Sequence, residues 1–358
     1  MTTGYDAAGR PVQSSFVTGS PAVNNATSSA SIHLKFDRYL LPASISRQSI
    51  CVRAVSAPVA APGDCAQGEF LSPVYDPVKR EVILRLTGGE RLDQAAEYQI
   101  TLLGPTEDGT PGIRAFDGAP LEQTLELVFT TAMTDPAGGP AAGEDEAAYE
   151  EADAFCTPSA RCVSLCAGDM ACEGLCQSPQ VALSNCAFGD CHADGKRPIE
   201  GTMDSAYIGP AMGLVLCTLG PTPSCPDKYL SPPESAMLET ALGKVAHQTQ
   251  QGNANPGDVN PVLENPRRFG RAMPIIDRAS PGNSYLVYKI LAGIDPVVAS
   301  DNNPAAAGEQ NRLREAIVVG MTMPATGFLL GSSEGPPVSE LQAISNWIAR
   351  GAPTKSCP

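Results

Sequence analysis

Histidine, tryptophan and long apolar runs are scarce in this sequence. Its 358 residues include three histidines and one tryptophan, and no stretch of 18 or more apolar residues occurs. The sequence therefore predicts no transmembrane segment. Gly-rich phosphate loops, nucleophile elbows and His-rich zinc motifs are also missing, so no motif of the common hydrolase classes is present.

Basic residues are outnumbered by acidic ones. Lysine and arginine total 24 against 39 aspartates and glutamates, which gives a net charge of −15. A chain of this charge repels phosphate backbones and anionic lipid surfaces, so we expect no nucleic acid partner.

Cysteine, in contrast, is abundant. Twelve cysteines are hard to reconcile with a reducing cytosol, and their spacings mostly suit disulfides. We therefore expect a chain exported to the periplasm, the outer-membrane surface or the cell exterior. The opening residues MTTGYDAAGR have neither the basic start nor the apolar middle of a signal peptide, so we expect the signal segment or a lipoprotein anchor to lie upstream.

Short runs of alternating apolar and polar residues occupy residues 30–133. They include SIHLKFD, EVILRLT, YQITLL and LELVFTT, with turn-rich segments between them. A period of two is typical of strands with one buried face. The spacing of the turns predicts an antiparallel β-sandwich.

The stretch from FDRYLLPASI to LVFTTA resembles the bacterial Ig-like domains of surface proteins. The resemblance implies a spacer, adhesive or assembly module without catalytic chemistry. It also implies a disulfide between Cys51 and Cys65 that bridges a loop. We assign residues 1–133 to this domain. The acidic Ala/Gly/Pro segment at 134–153 predicts a solvated linker, with a docking patch for a basic partner as the alternative.

Residues 154–180 are rich in cysteine and contain two C-x₃-C units. A spacing of four places each pair on one face of a helix. We expect a helical hairpin stapled by two disulfides, and four thiolates holding zinc are the alternative. The expected disulfides are Cys162 with Cys176 and Cys166 with Cys172.

The most informative motif is the run NCAFGDCH, in which Cys186, Cys191 and His192 form a C-x₄-C-H arrangement. Covalent attachment of haem c needs two thiols for the two vinyl groups and an imidazole directly after the second thiol for the iron. The commoner form has two residues between the cysteines. A disulfide between Cys186 and Cys191, with His192 merely beside it, is the alternative.

A second iron ligand is predicted at Met323, which precedes Pro324. Methionine in a loop of fixed backbone is the usual sixth ligand of a haem c electron carrier. Met321 and Met273 compete with it, and an iron that bound none of them would be five-coordinate and suited to peroxide or small-ligand chemistry.

The run VSELQAISNWIARGAP predicts a closing helix, with Ser339 as its N-cap and Gly351 at its end. One face of this helix is apolar. Its residues are Leu341, Ile344, Trp347 and Ile348.

Taken together, the C-x₄-C-H start, SPGNSYLVYKI at 280–290, the Met323 loop and the closing helix resemble a bacterial c-type cytochrome-like family, over about residues 180–353. The resemblance implies a mainly α domain at 181–358 around one covalent haem c. Its thioether sites would be Cys186 and Cys191, its proximal ligand His192 and its distal ligand Met323. A single Cys-His pair in the chain excludes further haems of this kind.

Cys217 and Cys225 are expected to staple one of the long insertions outside the haem fold, which leaves Cys156 to pair with Cys357. His33 and His247 are expected at the surface rather than as ligands.

These features predict a monohaem c-type cytochrome that passes single electrons, a carrier rather than an enzyme. Its acidic surface favours a basic redox protein as partner. The alternative is a disulfide-stapled surface module, structural or protein-binding, without haem.

Overall fold

The structure is a computed structural model of the chain. It describes residues 3–5, 11–13, 26, 28, 32–57, 73–86, 91–104, 112–134, 168, 170, 241–244, 269–270, 273–294, 304–317 and 338–352. The chain divides into two compact units, Met1–Ala148 and Tyr149–Pro358. The division falls within the predicted linker at 134–153.

The described residues of the first unit form eight strands and one 3₁₀ turn, Pro42–Ser44. The strands are β1 Thr3–Tyr5, β2 Pro11–Gln13, β3 Ile32–Lys35, β4 Ile50–Ala54, β5 Val74–Asp76, β6 Glu81–Leu84, β7 Glu97–Leu102 and β8 Leu125–Thr130. β1 pairs with β2, and the others form two three-stranded antiparallel sheets in the orders β3-β6-β5 and β4-β7-β8. The four predicted strand runs correspond to β3, β6, β7 and β8, and these predictions are confirmed.

Alternation along the strands builds the core of this unit. In β7, Tyr98, Ile100 and Leu102 are buried, while the residues between them lie on the outward side. Buried residues of both sheets, such as Val82 of β6 and Val52 of β4, belong to one hydrophobic cluster. Burial of one face of each sheet therefore holds the two sheets together.

Arg38 is a buried cation of the first unit. The Arg38 side chain is 1% exposed, and its guanidinium forms an ion pair with Asp117. The guanidinium also lies 5.7 Å from the centre of the Phe116 ring, within the range of a cation–π contact. Pairing keeps the free-energy cost of burying this charge low.

The described residues of the second unit contain a 3₁₀ turn, Pro281–Asn283, and three helices. These are α1 Tyr285–Leu291, α2 Pro304–Ala316 and α3 Val338–Ala349. A β region followed by a helical region matches the coarse fold prediction. Among the helices of the described residues, none is long and apolar enough to cross a membrane.

The closing helix, α3, largely follows the sequence prediction. Leu341, Ile344, Trp347 and Ile348 are all buried, so the predicted apolar face is confirmed. The N-cap prediction is wrong by two residues: α3 begins at Val338, so Ser339 lies inside the helix.

The end of α3 is set by Gly351, as predicted. Gly351 has a φ of +88° and donates its N–H to the carbonyl of Ile348, while Ala352 donates to the carbonyl of Trp347. These two bonds form a Schellman motif, which needs a residue that tolerates a left-handed conformation.

Candidate functional site

The residues predicted to bind haem lie outside the described residues. They are Cys186, Cys191, His192 and Met323, together with the competing Met321. Met273 is described. The structure also describes two of the four motifs on which the resemblance to the cytochrome family rests, the 280–290 segment and the closing helix α3. The candidate site is therefore built from the part of the second unit around these two motifs.

The two described motifs are in contact. α3 packs against α1 and against the 3₁₀ turn that precedes it. Ala279, just before that turn, donates its N–H to the carbonyl of Ile348 in α3 at 2.9 Å. Trp347 is fully buried in the same region. Segments about 60 residues apart in the sequence thus share one core.

A hydrogen-bonded loop leads into α1. The hydroxyl of Ser284 accepts a bond from the N–H of Asp277 at 2.9 Å and donates to the carbonyl of Ser280 at 2.9 Å. The side-chain amide of Asn283 donates to the Asp277 carboxylate at 2.7 Å. Because Ser284 is buried, these bonds satisfy polar groups that water does not reach. They explain the polar residues of the SPGNS run.

The backbone before this loop is also anchored. Tyr285 and Leu286 donate their N–H groups to the carbonyls of Pro274 and Ile275, at 2.8 and 3.0 Å. Ile276 forms a parallel bridge with Leu242. These bonds hold Met273, the third-ranked candidate for the distal ligand, next to the start of α1, and its side chain is buried.

Tyr288 forms a fixed aromatic contact on α1. Its ring meets the Phe269 ring edge-on, with centres 4.9 Å apart. Its hydroxyl donates a 2.8 Å hydrogen bond to the carbonyl of Gly282. Next to Phe269, Gly270 has a φ of +81°, and a β-carbon there would approach the Ile317 side chain to 3.3 Å. A side chain at position 270 would therefore be strained.

α2 joins this core through a polar side chain. Gln310 is buried, and its amide nitrogen donates to the carbonyls of Leu291 and Ile294 at 2.8 and 3.1 Å. Those carbonyls belong to the end of α1 and the turn after it, where helical partners are lacking.

Lys289 is a buried cation on α1. All seven residues of this helix are buried, and Lys289 is 6% exposed. Burial lowers the pKa of its ammonium from 10.5 to about 8, because removal from water disfavours the charged form. Neither Lys289 nor Gln310 was predicted from the sequence as a residue of the site. The sequence signal for Lys289 was a lysine within the apolar run YLVYKIL.

Of the predicted surface histidines, His247 lies outside the described residues. His33, on β3, is exposed and pairs through Nδ1 with the Glu81 carboxylate at 3.2 Å. Burial alone would raise the pKa of Glu81, but the hydrogen bond and charge of His33, with Lys79 and Lys35 nearby, hold it below its ordinary value.

Among the predicted disulfide cysteines, Cys51 is described. It is disulfide-bonded, and the cysteine to which it is joined lies outside the described residues. The remaining cysteines also lie outside them, so their pairings stay predictions. They are Cys65, Cys156, Cys162, Cys166, Cys172, Cys176, Cys217, Cys225 and Cys357.

Within the described part of the chain, no group of three or more His, Cys, Asp or Glu side chains is arranged to hold a metal ion. No family model matches the chain, and neither does any curated protein or solved structure. What the described residues contribute is an apolar helical core with one buried cation.

Proposed function

We propose that this chain is a monohaem c-type cytochrome that carries single electrons. The sequence motif at Cys186, Cys191 and His192 provides the donor set for a covalent haem, two thiols and one imidazole in the required order. Met323 provides the distal thioether. The function requires no bound substrate, which agrees with the lack of hydrolase motifs.

The observation that best supports this proposal is the contact between α1 and α3. The 280–290 segment and the Trp347 helix were assigned to one cytochrome-like domain from sequence alone, and they pack in one core joined by the Ala279–Ile348 hydrogen bond. A shared core for these two motifs is what a single cytochrome-like domain over 181–358 requires.

The bound haem would supply the redox chemistry, with one electron gained or lost at iron. The residues of the chain would hold the haem and set its potential. Cys186 and Cys191 would fix the haem, and His192 and Met323 would set its potential. Trp347 lies in a dry apolar core, and apolar surroundings of this kind would favour the less charged, reduced state of a bound haem.

The finer architecture belongs to the same proposal. The first unit is an Ig-like domain that acts as a spacer or an assembly module, and residues 154–180 form the disulfide-stapled helical hairpin. The chain works in the periplasm, at the outer-membrane surface or outside the cell, where its disulfides persist. Its acidic surface steers it towards a basic redox protein, with faster association at low salt.

Expression in a bacterial strain that matures haem c tests the proposal. We expect a red protein with the absorption bands of a c-type cytochrome and a denatured mass one haem above the polypeptide. The variant Cys186→Ala/Cys191→Ala should lose the added mass. A colourless wild-type protein with the polypeptide mass alone would refute the cytochrome assignment.

A second candidate is a disulfide-stapled surface module without haem. The disulfide at Cys51, on the outward side of a β-sheet, is the observation that favours it. In that case Cys186 and Cys191 would be joined to each other. Peptide mapping without reduction separates the two candidates, because it finds either a Cys186–Cys191 disulfide or a haem-bearing peptide.

A further inference from the structure

We draw no further inference here: the strongest candidate, the outer face of the β4-β7-β8 sheet, where Arg53 is half-exposed and Val128 is exposed, is a surface patch for which nothing in the described part of the chain shows what covers it.

Discussion

The side-chain amide of Gln310 donates a 2.8 Å hydrogen bond to the backbone carbonyl of Leu291, the last residue of α1. The same nitrogen lies 3.1 Å from the carbonyl oxygen of Ile294. The last carbonyls of a helix have no partner within it, and Gln310 is too deeply buried for water to take its place. A side chain of α2 therefore completes the end of α1.

We expect Gln310→Leu to destabilise the second unit by about 1–3 kcal/mol, because the carbonyl of Ile294 loses the Gln310 donor and that of Leu291 keeps the N–H of Ile294 at 3.3 Å. Urea unfolding followed by the fluorescence of Trp347, the only tryptophan, measures this. Asn311→Ala, at the exposed neighbouring position, is the control and should change stability by less than about 0.5 kcal/mol. Equal effects of the two substitutions would contradict this account of α1.

Lys289 should make the stability of the second unit depend on alkaline pH. Its pKa is about 8 in the folded chain and 10.5 ordinarily, so between these values the unfolded state binds more protons and stability rises with pH. Below about pH 8 the cost of burying the charge is fully present. Lys289→Met should therefore stabilise the unit at pH 7, by up to about 3 kcal/mol.

The measurement is the free energy of unfolding of both proteins between pH 7 and 10.5. The difference between Lys289→Met and the parent chain should shrink as pH rises through this range. Lys244→Met serves as the control because Lys244 is exposed. An unchanged pH slope in Lys289→Met would show that Lys289 is not its source.

Glu81 should make the first unit lose stability in acid. Its pKa lies below the ordinary 4.5, so its contribution is fully present above about pH 4.5 and is lost as pH falls through the lower, folded value. Glu81→Gln should cost about 0.2–1 kcal/mol at pH 6, the range of partly exposed ion pairs, and should flatten the acid limb of the stability profile. Exposed Glu126→Gln is the control, and a matching flattening there would refute the role of Glu81.

Met323 is expected to be the distal ligand of the proposed haem. Methionine ligation raises the reduction potential, so Met323→Ala should lower it and alter the ferric absorption spectrum. Met321→Leu and Met273→Leu should leave both unchanged. Met273 is buried and held beside α1. An unchanged potential in Met323→Ala would move the ligand assignment to one of the other two.

Much of the β domain was predictable because the alternation of apolar and polar residues along a strand shows which side of it is buried. The alternation in β3, β6, β7 and β8 is visible in the residues themselves, since one side of each strand packs into the core. β4 and β5 were not predicted individually. β5 has three residues, too few for a periodic pattern, and only pairing with β6 makes it a strand.

In the second unit, the sequence by itself determined the closing helix, its apolar face and its end at Gly351, because helical periodicity and the left-handed conformation of glycine are local properties. It also placed cysteines and a histidine in the order that haem attachment requires. Only the tertiary structure decided that α1 packs against α3, that Gln310 completes α1, and that Lys289 is buried. Such contacts join residues that are far apart in the chain, and no local pattern encodes which of them will meet.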